Sequence, residues 1–156
     1  MQAMGCEMTH DELVARAARW LRGTQRCSVV VTETESGTYE IPDAIGWRNM
    51  GDSILVECKT SRSDFSRDMR HKNCHSPKMG MGRRRYFMTL PGLLFLEEIP
   101  QGWGLLEVHE KYVRVKRKAV PRSVEVMKFY PWRMEERQIF SALRILQKEV
   151  RDAAIK

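Results

Sequence analysis

The sequence predicts an α/β domain in the order helix, three strands, helix, strand, followed by a β-hairpin and a C-terminal helix. Three observations carry this. Apolar residues recur at helical spacing from Thr9 to Gly23. Three short β-branched runs follow, separated by turn residues. The third run then passes through hydroxyl residues into a second helical stretch.

In the first helix, Leu13, Ala17, Trp20 and Leu21 share one face, and Gly23 is placed to end it. Thr9 and Glu12 fit a capping box, with Thr9 as N-cap and Glu12 at the third helical position. His10 beside them reads as a surface residue. Cys27 to Glu33 reads as the first strand, residues 35–38 as a turn, and Tyr39 to Gly46 as the second strand. There Ile41, Asp43 and Ile45 share a face and Glu40 points the other way. Pro42 has no N–H and belongs at an edge or a bulge.

Ser53 to Lys59 is the third strand. Ile54, Val56 and Cys58 line one face; Leu55, Glu57 and Lys59 line the other. A turn through residues 49–52 folds the second strand back on the third and brings Asp43 toward Glu57. Thr60 to Ser63 offer capping hydroxyls for a helix from Asp64 to His71. Asp64 and Asp68, one turn apart, are expected to pair with Arg67, Arg70 or Lys72. Tyr86 to Leu90 and Leu105 to Val108 are the fourth and fifth strands. Tyr112 to Val120 completes a hairpin with a basic face that includes Arg114, Lys116 and Lys118. From Pro131 a long helix carries the stripe Ile139, Leu143, Leu146 and Val150, read as core, with a dimer surface as the alternative.

At 156 residues the chain fits a single domain, with a core over about 9–120 and a helical extension over about 131–154. No run reaches the ~20 apolar residues of a membrane span. The N-terminus has no basic region followed by an apolar one, so no signal peptide is expected. Cysteines stand at 6, 27, 58 and 74 without a CxxC pair, which fits reduced thiols in the cytoplasm. His71, Cys74 and His75 do not have the spacing of a tetrahedral zinc site. The net charge of +7 favours a polyanionic partner. Its arginines and lysines concentrate between Arg62 and Arg85 and between Lys111 and Arg122. Arg62, Arg67, Lys72, Lys78, Arg83, Arg84 and Arg85 are the expected contacts to the phosphates of such a partner.

Pro42-Asp43 followed by Glu57-Cys58-Lys59, on adjacent strands between two helices, resembles the PD-(D/E)xK nuclease superfamily. The runs VECKTSRSDFSRDMR, RRRYFMTLPGLL and EEIPQGWGLLEV are similar to the MmcB-like DNA-repair group and related phage proteins, over about Thr9 to Val120. The resemblance implies a restriction-endonuclease-like αβββαβ core around a mixed central sheet. It implies catalysis by Asp43, Glu57 and Lys59, with Mg²⁺ or Mn²⁺ held by Asp43 and Glu57, and Glu12 and the Cys58 carbonyl as further ligands. A bulge at Pro42 would re-aim Glu40 as a second acid behind them, with simple solvent exposure of Glu40 as the alternative. It implies hydrolysis of DNA to a 5′-phosphate in repair, recombination or phage DNA processing, and a homodimer if two cuts are needed. The alternative is a DNA-binding module without turnover that recognises DNA structure. For Glu12, metal binding and simple helix capping both stay open.

Overall fold

The computed structural model describes residues 7–34, 41–49, 52–71, 80–123 and 130–155. Helix α1 (His10–Gly23) opens on the expected capping box: Thr9 Oγ1 accepts from Glu12 N at 3.2 Å, and Thr9 N donates to Glu12 Oε2 at 2.7 Å. Strands β1 (Val29–Thr32), β2 (Ala44–Asn49) and β3 (Asp52–Cys58) follow, then helix α2 (Arg62–His71) and strand β4 (Arg84–Thr89). Strands β5 (Gly104–Val108) and β6 (Val113–Arg117) form the added hairpin, and helix α3 (Tyr130–Ile155) ends the chain.

The six strands make one open sheet in sequence order. The pairs β1–β2, β2–β3 and β5–β6 are antiparallel, whereas β3–β4 and β4–β5 are parallel. The fold is therefore α/β with a mixed sheet, in the predicted order of elements. Helix α2 supplies the crossover that a parallel β3–β4 pair requires.

Alternation along β3 divides the core into two layers. Ile54, Val56 and Cys58 pack with Leu13, Val14, Ala17, Trp20 and Leu21 of α1. Leu55 faces the other way, toward Phe65 of α2, Phe87 and the segment carrying Leu94, Ile99 and Trp103. Phe87 stacks on Trp103 at 4.5 Å between centroids and meets Phe65 edge-on at 5.2 Å. Such aromatic contacts add to the area they bury.

Several boundaries differ from expectation for local reasons. Strand β1 is short because Arg26 and Glu33 stand at positive φ, 56° and 44°, on either side of it. Strand β2 starts at Ala44, because Pro42 has no N–H for the ladder. Instead Glu33 N reaches the carbonyls of Pro42 and Asp43, each at 3.2 Å. Strand β6 stops at Arg117; beyond it Ala119 turns inward and Val120 N donates to Gly102 O at 2.9 Å.

The apolar stripe of α3 is not core. Ile139, Leu143, Leu146 and Val150 are 37–70% exposed. Cys27 and Cys58 are buried free thiols, as predicted; burial pushes Cys27 up to about 11 and Cys58 well above the usual thiol value. Cys6 and Cys74 lie outside the described residues. Among the described residues no helix is long and apolar enough to cross a membrane.

Gly104 tests the packing of β4 against β5. A methyl group there would run into the edge of the Tyr86 ring and come within 2.6 Å of Arg117 O, a backbone atom. Gly104→Ala is expected to lower stability by about 1–3 kcal/mol, the usual cost of overpacking. Urea unfolding followed by tryptophan fluorescence measures it.

Candidate active site

The register of the first three strands sets the site. Thr32 pairs with Ala44, and Ala44 pairs with Val56. One residue after Thr32 and Val56, and one before Ala44 on the antiparallel β2, stand Glu33, Glu57 and Asp43, so three acids are side by side across one end of the sheet. Neighbouring strands lie ~4.8 Å apart, so these backbones are close neighbours. Asp43 is the middle member and the best anchored. Its Oδ2 accepts from Cys58 N at 2.7 Å. A backbone N–H in that position fixes the carboxylate and aims its other oxygen outward.

That other oxygen meets α1. His10 Nε2 lies 3.4 Å from Asp43 Oδ1 and 3.2 Å from Glu33 Oε1. One ligand atom from each of His10, Glu33 and Asp43 falls within 4.8 Å of the others. Imidazole with two carboxylates suits Mn²⁺, Zn²⁺ and similar divalent ions; an all-oxygen set suits Mg²⁺. The donors therefore fit a divalent cation, with His10 and Glu33 joining Asp43.

Neither His10 nor Glu33 was among the expected ligands. Glu12 was, and its carboxylate is instead bonded to Thr9 N. That backbone hydrogen bond, with the Thr9 hydroxyl, holds the Glu12 carboxyl below its usual range. Glu12 caps its own helix, and His10, two residues earlier, is the α1 side chain that faces Asp43. Cys58 was expected to contribute its carbonyl; the contact it makes with Asp43 is through its N–H. Glu40 lies outside the described residues.

Glu57 and Lys59 follow on the α2 side of β3, both almost fully buried, at 5% and 4% exposure. Lys59 Nζ lies 4.0 Å from Glu57 Oε2 and 3.9 Å from Asp64 Oδ2, and it forms a short hydrogen-bonded ion pair with Asp68. Asp64 and Asp68 thus converge on Lys59, where arginines or Lys72 were expected; Asp64 also reaches Arg67 at 3.4 Å. Burial alone would lower the Lys59 pKa. The Asp68 hydrogen bond and the charges of Glu57, Asp68 and Asp64 outweigh it and hold the ammonium above the usual lysine value. Lys59 is a fixed positive charge in this arrangement, not a base.

The arginines expected at DNA are mostly engaged elsewhere. Arg85 is buried and stacks over Trp103, 4.7 Å from the ring centroid. Arg84 is ion-paired with Asp52. Arg83 Nε donates to Arg122 O at 3.3 Å. Arg84 and Arg85 pair with Ile54 and Leu55, three to four residues before the ExK end of β3. Glu57 is two to three residues on from those positions, about 7–10 Å along the strand at ~3.3 Å per residue. The arginine triplet therefore bonds within the fold at the start of β4, displaced along the sheet from the end that carries Glu57. Arg62 ties α2 to the next segment through Glu98 and Leu93 O. Arg67 is the open member of the set, at 65% side-chain exposure. Lys72 and Lys78 lie outside the described residues.

No protein-family model matches the chain, and no curated protein does. A solved structure of a protein of unknown function from Silicibacter pomeroyi is similar, with a TM-score of 0.65, 23% identity and 95% of each chain covered. At that identity the likeness shows the fold alone.

Removing the buried ammonium has a defined expected cost. Lys59→Met leaves Glu57, Asp64 and Asp68 facing one another without it, and is expected to destabilise by about 3–5 kcal/mol. The pH sign follows from the raised pKa. The Lys59 contribution is fully present below the unfolded lysine value of about 10.4 and is lost as pH rises through the higher folded value. Denaturant unfolding between pH 8 and 11 should show the alkaline loss in the wild type and a smaller one in Lys59→Met.

Proposed function

We propose that this chain is a metal-dependent DNA nuclease that hydrolyses phosphodiester bonds at the Asp43–Glu57–Lys59 end of its sheet. The observation that carries the reading is the register placing Asp43 between Glu33 and Glu57, with Lys59 two residues on, at the carboxyl end of β3. The αβββαβ order supports membership in the PD-(D/E)xK superfamily.

Asp43, with His10 and Glu33 or with Glu57, would hold Mg²⁺ or Mn²⁺. When bound, such an ion lowers the pKa of a water and offsets charge on the phosphate. The chain supplies the rest. Cys58 N–H orients Asp43. Lys59 provides a permanent positive charge behind Glu57, stabilising a phosphate that gains negative charge. Asp64 and Asp68 hold that ammonium in place. The exposed Arg67 on α2 supplies a phosphate contact near this end. The product carries a 5′-phosphate, and repair, recombination or phage DNA processing in the cytoplasm is the setting. A structured substrate such as a flap or junction suits a small domain, with a homodimer where two cuts are made.

One observation favours the second reading, a DNA-binding module that recognises structure without cutting. Lys59 is held by Asp68 rather than open to solvent. Cleavage assays on plasmid, duplex, single strands, flaps and four-way junctions separate the two. Cutting is expected with Mg²⁺ or Mn²⁺ and not with EDTA. Asp43→Asn and Glu57→Gln are each expected to lower the rate at least about a hundredfold. Salt-sensitive binding without cutting under any metal would establish the binding module.

A further inference from the structure

A second feature lies at the same end of the sheet. Strands β3, β4 and β5 are parallel, so the turn after β5 opens at the edge where β3 ends. Two strand spacings, about 10 Å, separate those ends laterally. Between α1 and this turn lies a groove of about 640 Å³, whose lining includes Arg16, Arg19, Trp20, Lys111 and Tyr112.

Its chemistry is specific. Arg16 is a strut: its guanidinium donates to the carbonyls of His109 at 2.9 Å, Glu110 at 3.2 Å and Tyr112 at 3.4 Å. This locks the turn against α1. The Tyr112 ring stacks on His109 at 4.6 Å with 9° between planes, yet Tyr112 stays 57% exposed. One ring face is backed by imidazole, and the residue still presents a large aromatic surface to solvent. Arg19 and Lys111 are exposed and make no ion pair or side-chain hydrogen bond among the described residues. Glu110 is the one acid in the described lining.

A rigid, exposed aromatic face flanked by unpaired cations is how proteins hold single strands. A base stacks on the ring, and the adjoining phosphates meet the cations. A base within a duplex is stacked on its neighbours and cannot offer that face. We propose that this groove binds single-stranded DNA, with a base on Tyr112 and phosphates on Arg19 and Lys111, and so selects substrates with an unpaired strand. The selection of substrates rests on the nuclease reading; the binding does not.

The test is fluorescence anisotropy with a labelled twelve-nucleotide oligo-dT in EDTA, where no metal-dependent cleavage occurs, with unlabelled twelve-base-pair duplex as competitor. Wild type is expected to prefer the single strand. Tyr112→Ala should weaken binding about tenfold and Tyr112→Phe less than about twofold, because stacking needs the ring and not the hydroxyl. Lys111→Gln and Arg19→Gln should each reduce the slope of log affinity against log salt by about 0.7. Tyr112 and Lys111 are exposed, so folding is not at stake, and circular dichroism checks it. Wild-type affinity in Tyr112→Ala, or equal affinity for duplex and single strand, overturns the proposal. Tyr112-dependent binding with no cutting under any metal leaves the groove standing and overturns the nuclease reading alone.

Discussion

The arrangement at the end of the sheet depends on one buried cation. Lys59 is almost wholly removed from water, and an isolated ammonium there would lose its proton. It keeps its charge because Glu57, Asp64 and Asp68 surround it. That requirement fixes α2: its first and second turns must present their acids inward, over the end of β3. The same helix carries Phe65 into the aromatic layer with Phe87, so packing and charge set its orientation together. Breaking such a buried set is costly because the surviving charges have no water to turn to.

The order of elements was legible in the sequence, and so was the position of the Asp43 and Glu57 backbones. Alternation along Asp52–Cys58 assigned both faces of β3 correctly, because a central strand with both faces buried still sorts side chains by parity. The capping role of Glu12 was also visible, since a capping box is local. His10 and Glu33 were not found. They lie 23 residues apart, and what joins them is the packing of the start of α1 against the end of β1, a tertiary contact that no local spacing reveals. Asp68 was assigned to nearby arginines because helical neighbours are the only partners that spacing can propose. Its partner Lys59 precedes the helix.

The arginine triplet shows a different difficulty. A run of basic residues beside a loop reads as a phosphate-binding surface. Here β4 starts at Arg84, and β4 is a central strand covered on both faces. A cation in such a strand must find an internal partner. Arg85 finds Trp103, and Arg84 finds Asp52. Positive charge in this chain is thus divided between internal struts, such as Arg16, Arg62 and Arg122, and outward groups such as Arg67, Arg19 and Lys111. Net charge alone cannot separate the two kinds.

The parallel run of β3, β4 and β5 has a consequence for how the molecule can change over time. It sends the loops that follow β3 and β5 to one rim, while the two packed layers occupy the flat faces. Residues such as Glu110, Lys111 and Tyr112 sit on that rim, exposed, with little of the core resting on them. New substitutions there change the surface without unravelling the scaffold. The rim is thus open to evolutionary tinkering, while Phe87, Trp103 and Gly104 are held to narrow choices.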